Sequence, residues 1–325
     1  MLALPTGPLR AQLRATLESF AVVAPDAFSI FGMRYRAADA SSGSQVLTAA
    51  AQQVLATVLY NTLHCRRSVF AQRTVAPRQN PTTASLVAEL GAANSGTGWW
   101  DGSWRAGSIS KSELRHVEHD DLHLWATSDN VAVSPAPNDA ARVRFPPEYR
   151  NLYPGHYVVL GDASNGQRIG QLRTYWHVTP AGAASLTRAI SDRFNDAGAA
   201  FQLKVLNDVR GFGRADAAIL YTRADDWSRD AAIVAEIHDR MRDWMRPEVS
   251  AFTRPLRPGL SVAEDPVEPM SFGEQRAALL AQAFVEASRH GAQALTRVEE
   301  VIDAFGYDLD RFHLNSESHR DYELS

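Results

Sequence analysis

Apolar positions between residues 46 and 63 return every third or fourth place among Ala, Val and Leu, which is the helical period, and residues 81–90 repeat the pattern. The first 90 residues therefore read as a helical region. From 94 to about 133 the pattern changes to Gly, Trp and short alternations. Residues 104–106, 114–117 and 122–126 predict small antiparallel strands. The Pro-rich stretch 135–147 predicts a connecting loop. Strand and helix then alternate. Residues 155–160 and 170–178 predict strands, and Thr179-Pro180 opens a helix that Gly198 closes. Residues 201–206 and 215–221 are further strands. A long helix over 225–245 aligns Trp227, Ile233, Ile237, Met241 and Trp244 in one stripe. A Pro-rich link over 247–269 leads to helices at 271–290 and 294–305, and the polar tail after Arg311 is expected to be partly disordered. The sum is an α+β fold: a largely antiparallel sheet with packed helices and a helical N-terminal region, divided into residues 1–90 and 91–325.

Composition narrows the class. With 325 residues, 45% hydrophobic and 22% charged, the chain can bury a sizeable core. It has no 18-residue apolar run and no signal-peptide pattern at its start, and its single cysteine, Cys65, fits a reducing cytoplasm. A net charge of −4 gives no electrostatic case for nucleic acid or anionic membrane as partner. No His/Cys/Asp spacing matches a zinc motif, so no metal or cofactor is expected.

The basic residues carry more. Of 33, only Lys111 and Lys204 are lysine. Much of that bias can be base composition, since Arg replaces Lys on most surfaces. A lysine kept under such a bias points to chemistry that Arg cannot do, because an ammonium can lose its proton and a guanidinium effectively cannot. Lys111 sits in the polar run Ser110-Lys111-Ser112-Glu113. Lys204 sits in the apolar strand pattern of residues 201–206, where the bland alternative is a lysine snorkelling to water. On a strand, Arg173, Tyr175 and His177 share a face, as do Tyr221 and Arg223.

Several stretches resemble the Hop-type effector-like lyases of thioamitide and class V lanthipeptide gene clusters: 90–105 (LGAANSGTGWWDGSWR), 153–162 (YPGHYVVLGD), 175–207, 215–221 and 251–276. The resemblance spans roughly 90–320. It implies a phosphothreonine-lyase-like catalytic domain over 91–325. That domain would act on a phosphorylated Ser or Thr of a ribosomal precursor peptide and leave dehydroalanine or dehydrobutyrine. It also implies a separate kinase-like protein as partner, with residues 1–90 as a possible docking region for kinase or leader. A more distant resemblance is to bacterial phosphothreonine lyases, which place a His acid on one strand and a Lys base on a later one. His177, Lys204 and Leu220-Tyr221-Thr222-Arg223 follow that order, with Arg223 standing where the family pattern has Lys. Two other readings stay open: a host-directed effector acting on phosphorylated signalling proteins, and a non-catalytic scaffold for leader and kinase.

The chemistry asks for the same residue types. β-Elimination needs a Cα proton removed, a phosphate held and a leaving oxygen neutralised. A neutral amine in a dry site suits the first demand, so Lys204 is the candidate base. Arginine's planar fork suits the second, and the candidates are Arg173, Arg214, Arg223, Arg254, Arg257 and Arg276. Of these, Arg254, Arg257 and Arg276 could each equally be a surface ion pair. His177 is the candidate acid, with Tyr221 beside it as a catalytic candidate and Tyr175 as a substrate contact. The tyrosines could also be strand core. Asn94 and Asn207 are weaker candidates for substrate contact, since each could simply shape a turn.

Overall fold

The computed structural model describes residues 6–37, 47–67, 81–134, 139–150, 152–163, 172–268 and 270–324. Residues 46, 135–138, 170–171 and 269, which belong to expected elements, lie outside them. Three antiparallel sheets and seven α-helices make up the described part. The helices are α1 (Leu9–Glu18), α2 (Ala49–Leu59), α3 (Pro81–Ala93), α4 (Ala183–Asp196), α5 (Trp227–Met241), α6 (Phe272–Ala287) and α7 (Ala294–Ala304). The first sheet is a meander of β1 (Ala21–Ala24), β2 (Ala27–Ile30) and β3 (Met33–Arg36). The second has five strands, β4 (Trp99–Ile109), β5 (Leu114–His119), β6 (Leu122–Thr127), β7 (Val131–Val133) and β8 (Ala140–Phe145), in the order β6-β5-β4-β8-β7.

The third sheet frames the candidate site. Its strands are β9 (Glu148–Tyr149), β10 (His156–Leu160), β11 (Leu172–Trp176), β12 (Gln202–Leu206), β13 (Ala218–Thr222), β14 (Arg254–Arg257) and β15 (Leu260–Glu264). They run in the order β14-β15-β11-β13-β12-β10-β9, every neighbouring pair antiparallel. Helix α4 carries the chain from β11 over β13 to β12, so β13 lies between them. One face of this sheet is packed shut: Tyr157, Val159, Trp176, Leu203, Val205 and Leu220 are fully buried in a core shared with residues of α4 and α5. Along β11 and β12 the alternate residues, including Tyr175 and Lys204, face the other way. That opposite face is covered at one end by the N-terminal region. Helices α1 and α2 and the β1–β3 meander share a core with α6 and α7 that takes in Tyr175 and Ala263.

The α+β class holds, and α2, α3, α4, α5, α6 and α7 form where the periodicity places them. Several expectations need correction. The N-terminal region contains β1–β3 as well as helices. Four-residue strands are too short to show a period, and the turn between β2 and β3 is made by Phe31 and Gly32 in the left-handed region (φ +52° and +72°). The stretch read as a loop at 135–147 holds β8, and the Pro-rich link at 247–269 holds the β14–β15 hairpin. Pro255 is tolerated because β14 is an edge strand. Gly259 turns that hairpin with φ +72°, and a Cβ there would lie 2.2 Å from the Arg246 carbonyl oxygen. Thr179 makes no side-chain cap; a short 3-10 turn over Pro180–Gly182 leads into α4.

The C-terminal tail packs rather than straying. Phe312, Leu314 and Tyr322 are buried. The buried Glu264 carboxylate accepts from the Asn315 backbone N–H at 2.8 Å, the Ser318 hydroxyl at 2.6 Å and the Tyr322 hydroxyl at 2.8 Å. Arg276, read from sequence as a phosphate clamp, is instead the tail's other anchor. It is 0% exposed. Its Nε donates to the Phe312 carbonyl at 2.9 Å and Nη2 to the Leu314 carbonyl at 2.7 Å, while Tyr307 stacks 4.1 Å from its guanidinium carbon. Arg276→Ala is expected to destabilise the chain by about 3–5 kcal/mol in denaturant unfolding, because it orphans two carbonyls and opens a cavity. A loss below about 1 kcal/mol would contradict the anchoring role.

Candidate functional site

Strand register brings the candidate base to the middle of the open face. Lys204 on β12 pairs with Ile219 on β13 and Val158 on β10, and Ile219 pairs with Tyr175 on β11. Gln202, Tyr221 and Arg173 form the adjoining row. The Lys204 Nζ lies 3.6 Å from the ring centre of Tyr153 and 5.0 Å from that of Tyr221. The guanidinium carbon of Arg173 lies 5.1 Å from the same Tyr221 ring. Two cations thus share one aromatic platform, with Tyr153 against the amine. Burial, reinforced by the positive charge of Arg173, lowers Lys204 to about 8, while Asp265 pulls it back up.

Arg173 is buried and forms an ion pair with Asp265, which follows β15 directly. The niche therefore holds two cations against one carboxylate and suits an anionic ligand. The Tyr221 phenol is pushed up to about 12 by burial, against the pull of Arg173, so it stays a hydrogen-bond donor at neutral pH. Tyr175 is closed off beneath the N-terminal region. Its ring meets His64 edge-on at 5.3 Å, and its buried hydroxyl has no hydrogen-bond partner.

Two imidazoles adjoin the face. His156 on β10 is half-buried, diagonal to Lys204 across the β10–β12 pair. Its Nδ1 donates to the Pro154 carbonyl at 3.1 Å, since a carbonyl can only accept, which leaves Nε2 as the nitrogen that can carry or give up a second proton. Burial lowers its pKa, and the charge of Lys204 adds to that. His177 lies just past the end of β11, two strands across from Lys204, roughly 10 Å sideways and about 7 Å along by strand spacing. Its Nδ1 donates to the Glu248 carbonyl at 2.9 Å, and its Nε2 is buried without a partner. Burial lowers its pKa as well, partly offset by that carbonyl.

The structure commits Arg214, Arg254 and Arg257 to other partners. Arg214 is committed to Asp216, with Nη2 also donating to the Tyr60 hydroxyl at 2.8 Å. Arg254 pairs with Asp321 and Glu323 of the tail, and Arg257 pairs with Asp239 at 2.9 Å and donates to the Ala235 carbonyl. Arg223 follows β13, half-buried, two residues beyond Tyr221. Asn94 shapes the loop before β4: its amide donates to the Pro147 carbonyl at 3.1 Å and its oxygen accepts from the Gly96 N–H at 3.0 Å. Asn207 follows β12, its backbone N–H bonded to the Gly155 carbonyl beside His156. Tyr153, His156 and Asp265 are the residues that sequence reasoning passed over. All three lie in stretches that carry the family resemblance, and that was the available signal.

A Ser250–His64–Asp216 arrangement lies deeper. The Ser250 hydroxyl is 2.7 Å from His64 Nδ1, and His64 Nε2 is 3.8 Å from Asp216. It has the composition of a nucleophilic triad without its access, because none of the three is more than 3% exposed. Burial lowers His64 to about 4, so it is neutral. The group ties the π-helical end of α2 (Tyr60–His64) to the turn before β13 and the loop before β14. Among the described residues no helix is long and apolar enough to cross a membrane.

Residues 148–314 match the model of the HopA1 effector protein family, a span that includes Tyr153, His156, Arg173, Lys204, Tyr221 and Asp265. No curated protein matches the chain. Among solved structures, the effector protein from Pseudomonas syringae pv. tomato strain DC3000 is similar over 84% of this chain and 92% of its own, at 18% identity and a TM-score of 0.48. The effector protein from Pseudomonas syringae pv. syringae strain 61 is similar over 82% and 96%, at 15% identity and a TM-score of 0.47.

Proposed function

This chain belongs to the HopA1 effector protein family, and from that premise we propose that it is a lyase that β-eliminates phosphate from phosphoserine or phosphothreonine in a peptide. The observation that carries the reading is the Lys204 amine, lowered to about 8 on a Tyr153–Tyr221 platform beside Arg173. Near neutral pH part of the protein then holds a free amine base, which an exposed lysine would not supply.

In this reading the phosphate docks beside Arg173, whose position Asp265 fixes, and the Tyr221 hydroxyl donates to it. The lone pair of Lys204 Nζ takes the Cα proton, and the former C–H electrons form the Cα=Cβ bond. The Cβ–O bond breaks with its electron pair leaving on phosphate. His156 gives the departing oxygen its proton, because a bound phosphate dianion raises the imidazole that the empty site holds low. The products are a dehydroamino acid and inorganic phosphate; the Lys204 ammonium returns its proton to solvent, and His156 takes one back from it. No cofactor takes part. The substrate proposed is a precursor peptide phosphorylated by a separate kinase-like protein.

The pH dependence follows. In a His156→Asn background, where no imidazole proton has to be held, kcat/KM on a phosphothreonine peptide is expected to rise with pH through about 8 as Lys204 loses its proton in the free enzyme. His156→Asn lowers kcat by about a hundredfold, the lower end of what a proton-transfer group contributes, and His177→Asn lowers it less. The opposite ranking would assign the acid to His177, the reading favoured by its unpartnered Nε2. A flat profile of that His156→Asn variant from pH 6 to 9 would remove Lys204 as the base. A second role for the same chemistry, on phosphorylated proteins of a host, is separated from the first by which phosphopeptides the chain accepts.

A further inference from the structure

A cluster that the elimination does not use lies on the five-stranded sheet, ahead of the region matched by the family. The β5–β6 register sets Glu118 opposite His123 and His116 opposite Trp125. His116 and Glu118 are two apart on one strand, so all four side chains share a face. His116 Nε2 and His123 Nδ1 lie 3.1 Å apart, with their rings stacked at 5.2 Å and 13°. The Glu118 Oε2 lies 3.8 Å from His123 Nδ1, and the three ligand atoms all fall within 4.8 Å of one another.

Those spacings suit a metal. Tetrahedral zinc with Zn–N bonds of about 2.0–2.1 Å sets its ligand atoms roughly 3.3 Å apart. Both imidazoles and the carboxylate can therefore reach one ion without movement of the strands. The surroundings help. Arg105 holds the other Glu118 oxygen at 2.8 Å, which leaves Oε2 turned to the histidines. Residue 107 is glycine, and a Cβ there would sit 2.6 Å from His116 Nδ1, so its absence makes room for the ring.

We propose that His116, Glu118 and His123 form a binding site for a divalent transition ion, zinc or copper, with one coordination position left to water or an external ligand. Two imidazoles and one carboxylate favour these ions over magnesium or calcium, which prefer oxygen ligands. The ion clips β5 to β6 and replaces the proton that the two nitrogens share. Sequence spacing conceals the site because its third ligand arrives across a hairpin. The proposal is independent of the role of Lys204.

The test uses the full chain, stripped with chelator and titrated with zinc chloride by calorimetry. Saturable binding of one ion per chain is expected. His116→Ala and His123→Ala each weaken it about tenfold or more, and the double variant abolishes it. Copper should quench tryptophan emission in proportion to occupancy, and Trp125→Phe should remove most of that response, since Trp125 lies 5.2 Å from His116. The substitutions lie on a solvent-facing sheet surface, and far-ultraviolet dichroism confirms that each variant is folded. Absence of saturable binding, or an equivalent of zinc that survives unchanged in the folded double variant, would overturn the proposal.

Discussion

Lys204→Ala is expected to lower phosphate elimination by about a thousandfold or more, within the range that a positioned proton-transfer group supplies. Lys204→Arg does the same, because it keeps the positive charge but cannot release a proton. That pair of variants separates a base from a phosphate contact, since a mere contact would be largely rescued by arginine. The same shift has a stability consequence whose sign is fixed. The folded pKa, about 8, lies below the ordinary lysine value of 10.5, so the unfolded chain binds more protons between those values. Stability from this group therefore rises with pH across that window, and the charged amine is a burden below it. Lys204→Met is expected to be more stable than the natural chain at pH 7 by about 1–2 kcal/mol, allowing for partial solvent screening. The difference should shrink from pH 8 toward 10.5. An unchanged or lowered stability at pH 7 would mean that the amine is not strained by its surroundings.

The second large effect is at Arg173. Arg173→Ala leaves Asp265 buried beside a cavity with no ion-pair partner, and breaking a buried pair from one side costs about 3–5 kcal/mol. It also removes the fixed positive charge beside Lys204, so activity falls as well as stability. The combined variant Arg173→Met, Asp265→Asn separates the two. It should recover most of the lost stability in denaturant unfolding while remaining at least about a hundredfold slower in elimination, the scale on which a single electrostatic contact acts. Full activity in the double variant would show that Arg173 serves only the fold.

The framework of this site was legible in the chain for a physical reason. Residues 201–206 and 215–221 are short, mostly apolar stretches, residues 172–176 alternate Leu172, Thr174 and Trp176 with Arg173 and Tyr175, and α5 shows its stripe through Ile233, Ile237 and Met241, all buried as the period requires. Lys204 stood out because it interrupts such a run with the one cation that can become a base. The arginines did not sort themselves. Arg276 beneath Tyr307, Arg214 against Asp216 and Arg254 on the tail look alike in sequence, and only packing distinguishes an anchor from a clamp. The β14–β15 hairpin was hidden by Pro255 and Pro258, which mark loops unless the strand is an edge. Asp265 was hidden with it. Tyr153 and His156 lie before and at the start of β10, where no period marks them; strand pairing brings His156 near Lys204, and the turn before β10 sets the Tyr153 ring against its amine.

The central claim is that Lys204 removes a Cα proton from a phosphorylated residue. Its most direct test is to incubate the natural chain and Lys204→Ala with one synthetic phosphothreonine peptide and to read the products by mass. The natural chain is expected to remove the elements of phosphoric acid to leave dehydrobutyrine, and Lys204→Ala to leave the phosphopeptide unchanged. Recovery of unmodified threonine, which signals hydrolysis, or equal elimination by both proteins would contradict the claim.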